Sequence, residues 1–412
     1  MQRVAVVGGG VAGIVSAYLL QRRYQVDLWE AGSYLGGHTN THVIRSGPDA
    51  GLAIDTGFIV LNPHTYENFL KFLGELGVAT QLSDMSFGYH CCQTGWTYGG
   101  HDLATLFARP YSWSNPDFLR FVLDIARFNS RSLKALRQGR LQGSLRDYLR
   151  GYSRAFWRHY IEPLGSAIWS APLHAIGDFP AHTFIRFFAN HGLFELTNRP
   201  DWYTVAGGSH SYVKAFQANF QGRIFLDAPV QLVQATSSGW EIGIGGESQS
   251  YDACVLATHA DITLKLLAQP SAAQQELLSP WRYLANRAVL HWDESFLLPN
   301  PKVRSSWSYT RFEEASELPT LSYDMNLLQA LRGQRHYLVT LNSPRAIAAD
   351  KTEGEWIYHH PQFDAAAVST QARLPELNRA GLAFAGSYHR YGFHEDAVLS
   401  AVRAAASLGV VW

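Results

Sequence analysis

Gly8, Gly10 and Gly13, followed by Glu30, are residues whose types and spacing can do specific chemistry. Gly8 makes a tight turn, Gly10 lets backbone approach a pyrophosphate, and Gly13 lets a helix lie close on a strand. The free N–H groups at that helix start, with Val11 and Ala12, hold phosphates with help from the helix dipole. Glu30, followed by Ala31, can take both hydroxyls of an adenosine ribose. Other chemistries are not indicated. No His/Cys cluster has metal-ligand spacing, and His359-His360 reads as a loop before Pro361. Gly-x-Ser-x-Gly is absent, so nothing points to a serine hydrolase.

The elements around these residues agree with that chemistry. Arg3–Val7 is an apolar, β-branched run that reads as a buried parallel strand. A helix pattern runs from Val11 to Gln21, and Gln25–Trp29 is a second strand delivering Glu30. A signal peptide or membrane anchor is the competing reading of Val4 to Leu20. Only Arg3 precedes the run, no small-residue cleavage site follows it, and three glycines would weaken a membrane helix.

Further on, Leu35–Thr39 reads as a glycine loop, and Leu52–Val60 as strand. Asn62-Pro63 starts a helix through Phe69, Phe72, Leu73 and Leu76. Ser86–Tyr98 alternates as strands of a separate sheet, and Asn115 to about Arg199 is mostly helical. A helix spans Tyr212–Phe220, and Ser250–Thr258 reads as one more buried strand. Strands near 288–292, 303–309, 320–323 and 337–342 belong to the second sheet, and 382–386 precedes a final helix to about Ser407. The expected fold is α/β: a Rossmann-like domain from 1–85, 200–285 and 380–412, interleaved with an α+β domain from 86–199 and 286–379.

With 412 residues there is room for two substantial cores. Lys+Arg and Asp+Glu are 34 each, so no global field favours nucleic acid. Three cysteines, two of them adjacent, make no disulfide framework and fit a reducing, cytoplasmic setting. Aromatic residues reach 13% against 17% charged, which suits either large apolar cavities and interfaces or simply an aromatic core. Arg127 to Arg158 is a local basic excess. It reads as a solvated helix face or as a peripheral contact with anionic lipid at the inner face of a membrane, where each basic residue adds about 1 kcal/mol.

In this order the pieces resemble the two-dinucleotide-binding-domain flavoproteins, the group that holds amine oxidases and phytoene-type desaturases. His38, Asp55-Thr56-Gly57-Phe58, Leu82–Phe87, Gly165–Ser170 and Tyr391–Asp396 look like a narrower set. That set comprises bacterial NAD/FAD-binding oxidoreductases and the N-terminal oxidoreductase domain of plant cyclopropane fatty-acyl synthases. The resemblance implies FAD, with its pyrophosphate at Gly8, Gly10, Ala12 and Gly13, and with Val230 at the adenine edge. Gly36, Gly37, His38 and Thr39 would line the pyrophosphate and ribityl chain. Gly57, Phe58, Ile59 and Val60 would pass the flavin ring, with Gly386 and Ser387 at the ribityl end. Phe393, His394 and Glu395 would set a helix N-terminus at the pyrimidine edge, where reduced flavin carries negative charge. Ser387 stands where amine oxidases carry an acid, and Arg287 falls near their lysine position.

Near such a flavin the candidates for chemistry are His38, His389, Tyr391 and His394, histidine being suited to proton transfer near neutral pH, with Arg287, Tyr309 and Tyr323 toward substrate. A hydrogen-bonded structural role is the plain alternative for each histidine. Three readings stay open. The first is a flavin enzyme that oxidises, desaturates or reduces a fatty-acyl or lipid substrate. The second is an amine or amino-acid oxidase, and the third a redox-neutral flavoprotein partner of a lipid methyltransferase.

Overall fold

The computed structural model describes residues 2–108, 112–195, 200–314 and 316–412; residues 196–199, at the end of the expected helical region, lie outside it. Strand β1 (Arg3–Val7) and β2 (Gln25–Trp29) flank helix α1 (Val11–Leu20), as the apolar runs predict. They join β5 (Arg223–Phe225), β6 (Ala253–Leu256) and β12 (Leu382–Phe384) in a five-stranded sheet ordered β5-β2-β1-β6-β12. Every neighbouring pair in it is parallel. Such a sheet needs cover on both faces. Val4 and Val6 turn toward α1, α2 (Glu67–Glu75), α6 (His210–Asn219) and α7 (His394–Ser407). Ala5 and Val7 turn to the opposite face, shared with a three-stranded antiparallel sheet across Val230–Tyr251.

The second large sheet has seven strands: β3 (Phe87–Cys91), β4 (Trp96–Gly99), β7 (Tyr283–His291), β8 (Trp307–Arg311), β9 (Leu321–Asp324), β10 (Leu338–Leu341) and β11 (Thr352–Pro361). Their order is β11-β7-β10-β9-β8-β3-β4, antiparallel except where β8 meets β3. Against one end packs the helical region, with α3 (Pro116–Arg137), α4 (Glu162–Trp169) and α5 (Ala181–Asn190). α3 starts at a proline, with the Asn115 side chain accepting from the N–H groups of Asp117 and Phe118. Its inner face buries Phe118, Phe121 and Phe128 among other aromatic rings, which accounts for much of the aromatic composition.

Several expectations change. Leu52–Val60 is strand only at Ala53–Asp55 and from Val60. Ser250–Thr258 is not one strand: an antiparallel strand ends at Tyr251, and Asp252 crosses to β6 by exchanging bonds with the backbone of Arg3. α2 begins at Glu67, because Asn62 accepts from the N–H groups of His64 and Thr65 and so forms a turn first. His359-His360 lies in β11, not in a loop. The basic run spreads over several elements, with Arg127, Arg131 and Lys134 exposed on one side of α3. Arg127 lies over the Tyr152 ring, Arg131 over Tyr148, Arg146 over Trp157, and Arg150 pairs with Asp147. No helix among the described residues is long and apolar enough to cross a membrane.

Candidate active site

The nucleotide end is built almost wholly from backbone. Gly8, at φ +105°, donates its N–H to Trp29 O at 2.8 Å, which ties the turn to β2. A Cβ on Gly13 would sit 1.7 Å from Gly8 O, so only glycine allows α1 to lie that close. A Cβ on Gly10 would meet nothing within 4 Å, so open space stands at the start of α1. The first helical bond is Ile14 N–H to Gly10 O, which leaves the donors of the first turn directed at that space. Open space bordered by helix donors suits a pyrophosphate.

Glu30 faces the same place. Its two carboxylate oxygens accept from Gly9 N–H at 2.6 Å and Gly32 N–H at 2.7 Å. Two backbone amides thus fix the carboxylate, and each oxygen keeps a lone pair for a ribose hydroxyl. Ala31 is exposed beside it. Ala228 N–H bonds Glu30 O, which brings the Val230 end of the antiparallel sheet alongside. Gly36 N–H donates to Gly9 O, and Gly37 packs on Gly10, so the second glycine loop closes over the first.

From there the loops lead to a cavity of about 260 Å³ enclosed by the His38 and Gly57–Val60 loops, the seven-stranded sheet, and helices α4 and α5. Phe58 N–H donates to His38 O, joining the His38 loop to Gly57–Val60, and Gly386 N–H donates to Ser400 Oγ on α7. His394 opens α7 in the cavity wall, its ring stacked 3.7 Å from Phe58. Its Nε2 is 2.9 Å from Thr39 Oγ1, which also contacts Tyr212 OH at 2.6 Å. Burial pushes His394 down to about 3, so the ring stays neutral and positions the loop rather than taking a proton at pH 7. The far walls are apolar and aromatic, with Ile168 and Trp169 of α4, Phe187 of α5, and Trp202, Trp307 and Leu341. No Lys, Arg, Asp or Glu among the described residues lines this cavity. Its histidines carry no charge at neutral pH either: burial holds His191 and His360 down to about 4, and burial with neighbouring imidazoles holds His38 well below its usual value.

Other candidate residues sit elsewhere. His389 does not line the cavity; it is buried against Tyr388, its Nε2 without a partner among the described residues. Arg287 points outward on β7 and forms a surface pair with Glu355 at 2.6 Å. Tyr309 is buried outside the cavity and stacks on Tyr89, whereas Tyr323 and Tyr391 do face it. Glu395 spends its carboxylate on helix α2, accepting from Asn68 N–H, Asn68 Nδ2 and Phe69 N–H. The Asp55 carboxylate, in the sequence block resembling flavoproteins, is wholly buried and accepts from Thr41 Oγ1 and from Ser209 N–H and Oγ at the start of α6. Desolvation outweighs these bonds and lifts it to about 6.

Sequence reasoning missed Tyr358, His360 and His259. Tyr358 OH contacts Thr56 Oγ1 at 2.7 Å, His360 Nδ1 accepts from Asn286 Nδ2 at 3.0 Å, and the His38 ring lies 5.1 Å from His360 and 6.3 Å from His259. The signal was present: Trp356, Tyr358 and His360 alternate with exposed Ile357 and His359, the period of a strand.

A family model described as flavin-containing amine oxidoreductase matches residues 11–355. The chain belongs to that family. FAD is therefore its cofactor, and the open helix start, the glycine loops and the fixed Glu30 fit an adenine dinucleotide. An L-amino-acid oxidase from Siganus canaliculatus is 25% identical over 309 residues, 71% of this chain and 55% of that protein. The chain thus spans about half the length of that curated relative. Among solved structures, putrescine oxidase bound to putrescine matches with a TM-score of 0.69 at 17% identity, over 99% of this chain and 98% of the other. Cyclohexylamine oxidase from Brevibacterium oxydans matches at 0.69 and 15%, over 99% and 98%. A fatty acid isomerase from P. acnes, producing CLA, matches at 0.65 and 11%, over 97% of each chain. At these identities the structures establish the shared fold.

Proposed function

We propose that this FAD-dependent oxidoreductase acts on an uncharged, largely apolar substrate, of which a fatty-acyl chain is the leading class. The observation that carries the reading is the cavity lining, which has aromatic and aliphatic walls and no Lys, Arg, Asp or Glu among the described residues. A carboxylate or ammonium taken into such a space would lose its hydration without a partner, at a cost of several kcal/mol (about 2 or more). When bound, FAD supplies the hydride acceptor. The chain's own residues bind and orient: the first turn of α1 and Glu30 take the nucleotide, Gly57–Val60 lie along the cavity wall, and the aromatic rings exclude water. The sequence blocks resembling the oxidoreductase domain of cyclopropane fatty-acyl synthases support the same substrate class.

An amine substrate is the second reading, favoured by the family match and the amine-oxidising neighbours. Trp169, Phe187 and Tyr391 meet in the wall and suit a neutral amine on an apolar body. An amino acid fits less well, because its carboxylate finds no arginine in the lining.

The test is an anaerobic titration of the yellow protein with phospholipid bearing unsaturated or methyl-branched chains, with aliphatic monoamines and with L-amino acids. Bleaching of the flavin band by the lipid alone supports the first reading, and bleaching by monoamines alone replaces it with the second. Ile168→Arg adds a cation to the cavity wall. It should weaken bleaching by an apolar substrate at least about tenfold while leaving FAD occupancy unchanged.

A further inference from the structure

The outer side of the helical region carries a feature that the cavity does not use. Leu103, Trp113, Leu119 and Leu123 are 66%, 69%, 40% and 66% exposed; Trp113 lies in the turn before α3, and Leu119 and Leu123 lie on its first half. Ser112–Ser114 forms the turn just before α3, and the Phe107 ring lies 5.5 Å from Phe118, so the 103–106 helix and the N-terminal part of α3 adjoin. Single exposed leucines are ordinary, but Trp113, Leu119 and Leu123 exposed in close succession at the start of one helix are not.

The charge on the same helix selects what covers them. At 3.6 residues per turn, Leu119, Leu123, Lys134 and Arg137 fall on one outward stripe, opposite the buried Phe118, Phe121 and Phe128. Arg120 and Arg127 flank that stripe, and all four basic residues are exposed. Of the acids on α3, Asp117 is exposed in the first turn, away from the stripe, and Asp124 is buried and accepts from Ser153 N–H. Asp102, beside Leu103, is exposed as well. Along α3 the stripe is apolar at its start, at Leu119 and Leu123, and basic toward its end, at Lys134 and Arg137. Tryptophan and leucine at the interface level with basic residues beside them match the boundary of an anionic bilayer.

We propose that this face, Leu103 and Trp113 with the outward stripe of α3, docks the protein on an anionic phospholipid surface. This contact is independent of the substrate reading: an amine oxidase could dock in the same way, and a lipid oxidase could lack the contact.

The test is flotation of the full-length, FAD-loaded protein with vesicles of phosphatidylcholine alone and with vesicles containing phosphatidylglycerol. Flotation with the anionic vesicles only, reduced at 0.5 M salt, is the expected result. Leu123→Glu, and separately Lys134→Glu with Arg137→Glu, should each lower binding at least about tenfold. Both changes are on exposed positions, and an unchanged flavin spectrum and melting temperature show that each variant is folded. Absence of flotation with either vesicle overturns the proposal, and so does binding that none of these substitutions weakens. A dimer in solution that Leu123→Glu separates, together with no flotation, assigns the face to a second copy and overturns it as well.

Discussion

The nucleotide end and the aromatic cavity are neighbours in space but are specified in opposite ways. The nucleotide end takes its shape from one continuous segment, Arg3 to Gly37, in which glycines, backbone amides and one carboxylate do the work. The cavity draws on the seven-stranded sheet, the helical region and loops far apart in the chain, and side chains rather than backbone set its character. The first region therefore tolerates almost no change at a few positions. The second should tolerate many single changes but respond sharply to charge.

The most damaging change expected is Gly13→Ala. Its methyl group has no room beside Gly8 O, and α1 must shift from β1. A loss of about 3 kcal/mol and a protein purified without FAD are expected, read by thermal unfolding and absorbance. A yellow, normally stable variant would break the comparison. Glu30→Ala comes next. It frees the Gly9 and Gly32 amides and removes the ribose acceptor, for a loss of about 1–3 kcal/mol in FAD retention with the fold kept. Unchanged flavin occupancy would remove Glu30 from the proposed site.

Acid should separate the regions. Burial lowers His191 and His360 to about 4 and His389 to about 3, so the folded state refuses protons that unfolded histidines take up below about 6.5. The unfolded state then binds more protons, and stability falls as the pH drops through that window, by about 2 kcal/mol per such histidine between pH 7 and 5. Asp27 in β2 behaves otherwise. Desolvation would raise it, but bonds from Arg223, Tyr251 and Arg3 prevail and hold it below its usual value. Its contribution is complete above about pH 3.9 and is lost only as pH falls through the lowered value. Tryptophan fluorescence from the cavity should therefore change at higher pH than the strands around Asp27 loosen. His389→Phe should make the melting temperature less dependent on pH, and an identical pH slope would show that His389 is not held neutral. The smallest effect is expected at Arg287→Ala. Its pair with Glu355 is exposed, so stability should change by less than about 0.5 kcal/mol with flavin bleaching unaltered. A large loss of turnover would return Arg287 to the site.

The fold class and the first β-α-β unit could be read directly because their determinants are local. Turn glycines, apolar runs and a helix start interact within a few residues, and a backbone amide needs no particular neighbour to be recognised. Strand faces were harder. Arg287 pairs in register with Ile357, and both point outward, while Asn286 pairs with Tyr358 and both point in. A shift of one residue reverses all four, and nothing within either strand fixes that register.

By itself, then, the sequence determined a parallel sheet that carries the Gly8–Gly13 turn, the helix start and Glu30, the arrangement that suits a dinucleotide. Only the tertiary structure decided that His389 and Arg287 stand away from the cavity, that Tyr358 and His360 enter it, and that no Lys, Arg, Asp or Glu among the described residues lines it. The reason is that the cavity is a product of pairing and packing between segments hundreds of residues apart (about 300 between His38 and His360). Their positions along the chain do not encode which sides meet.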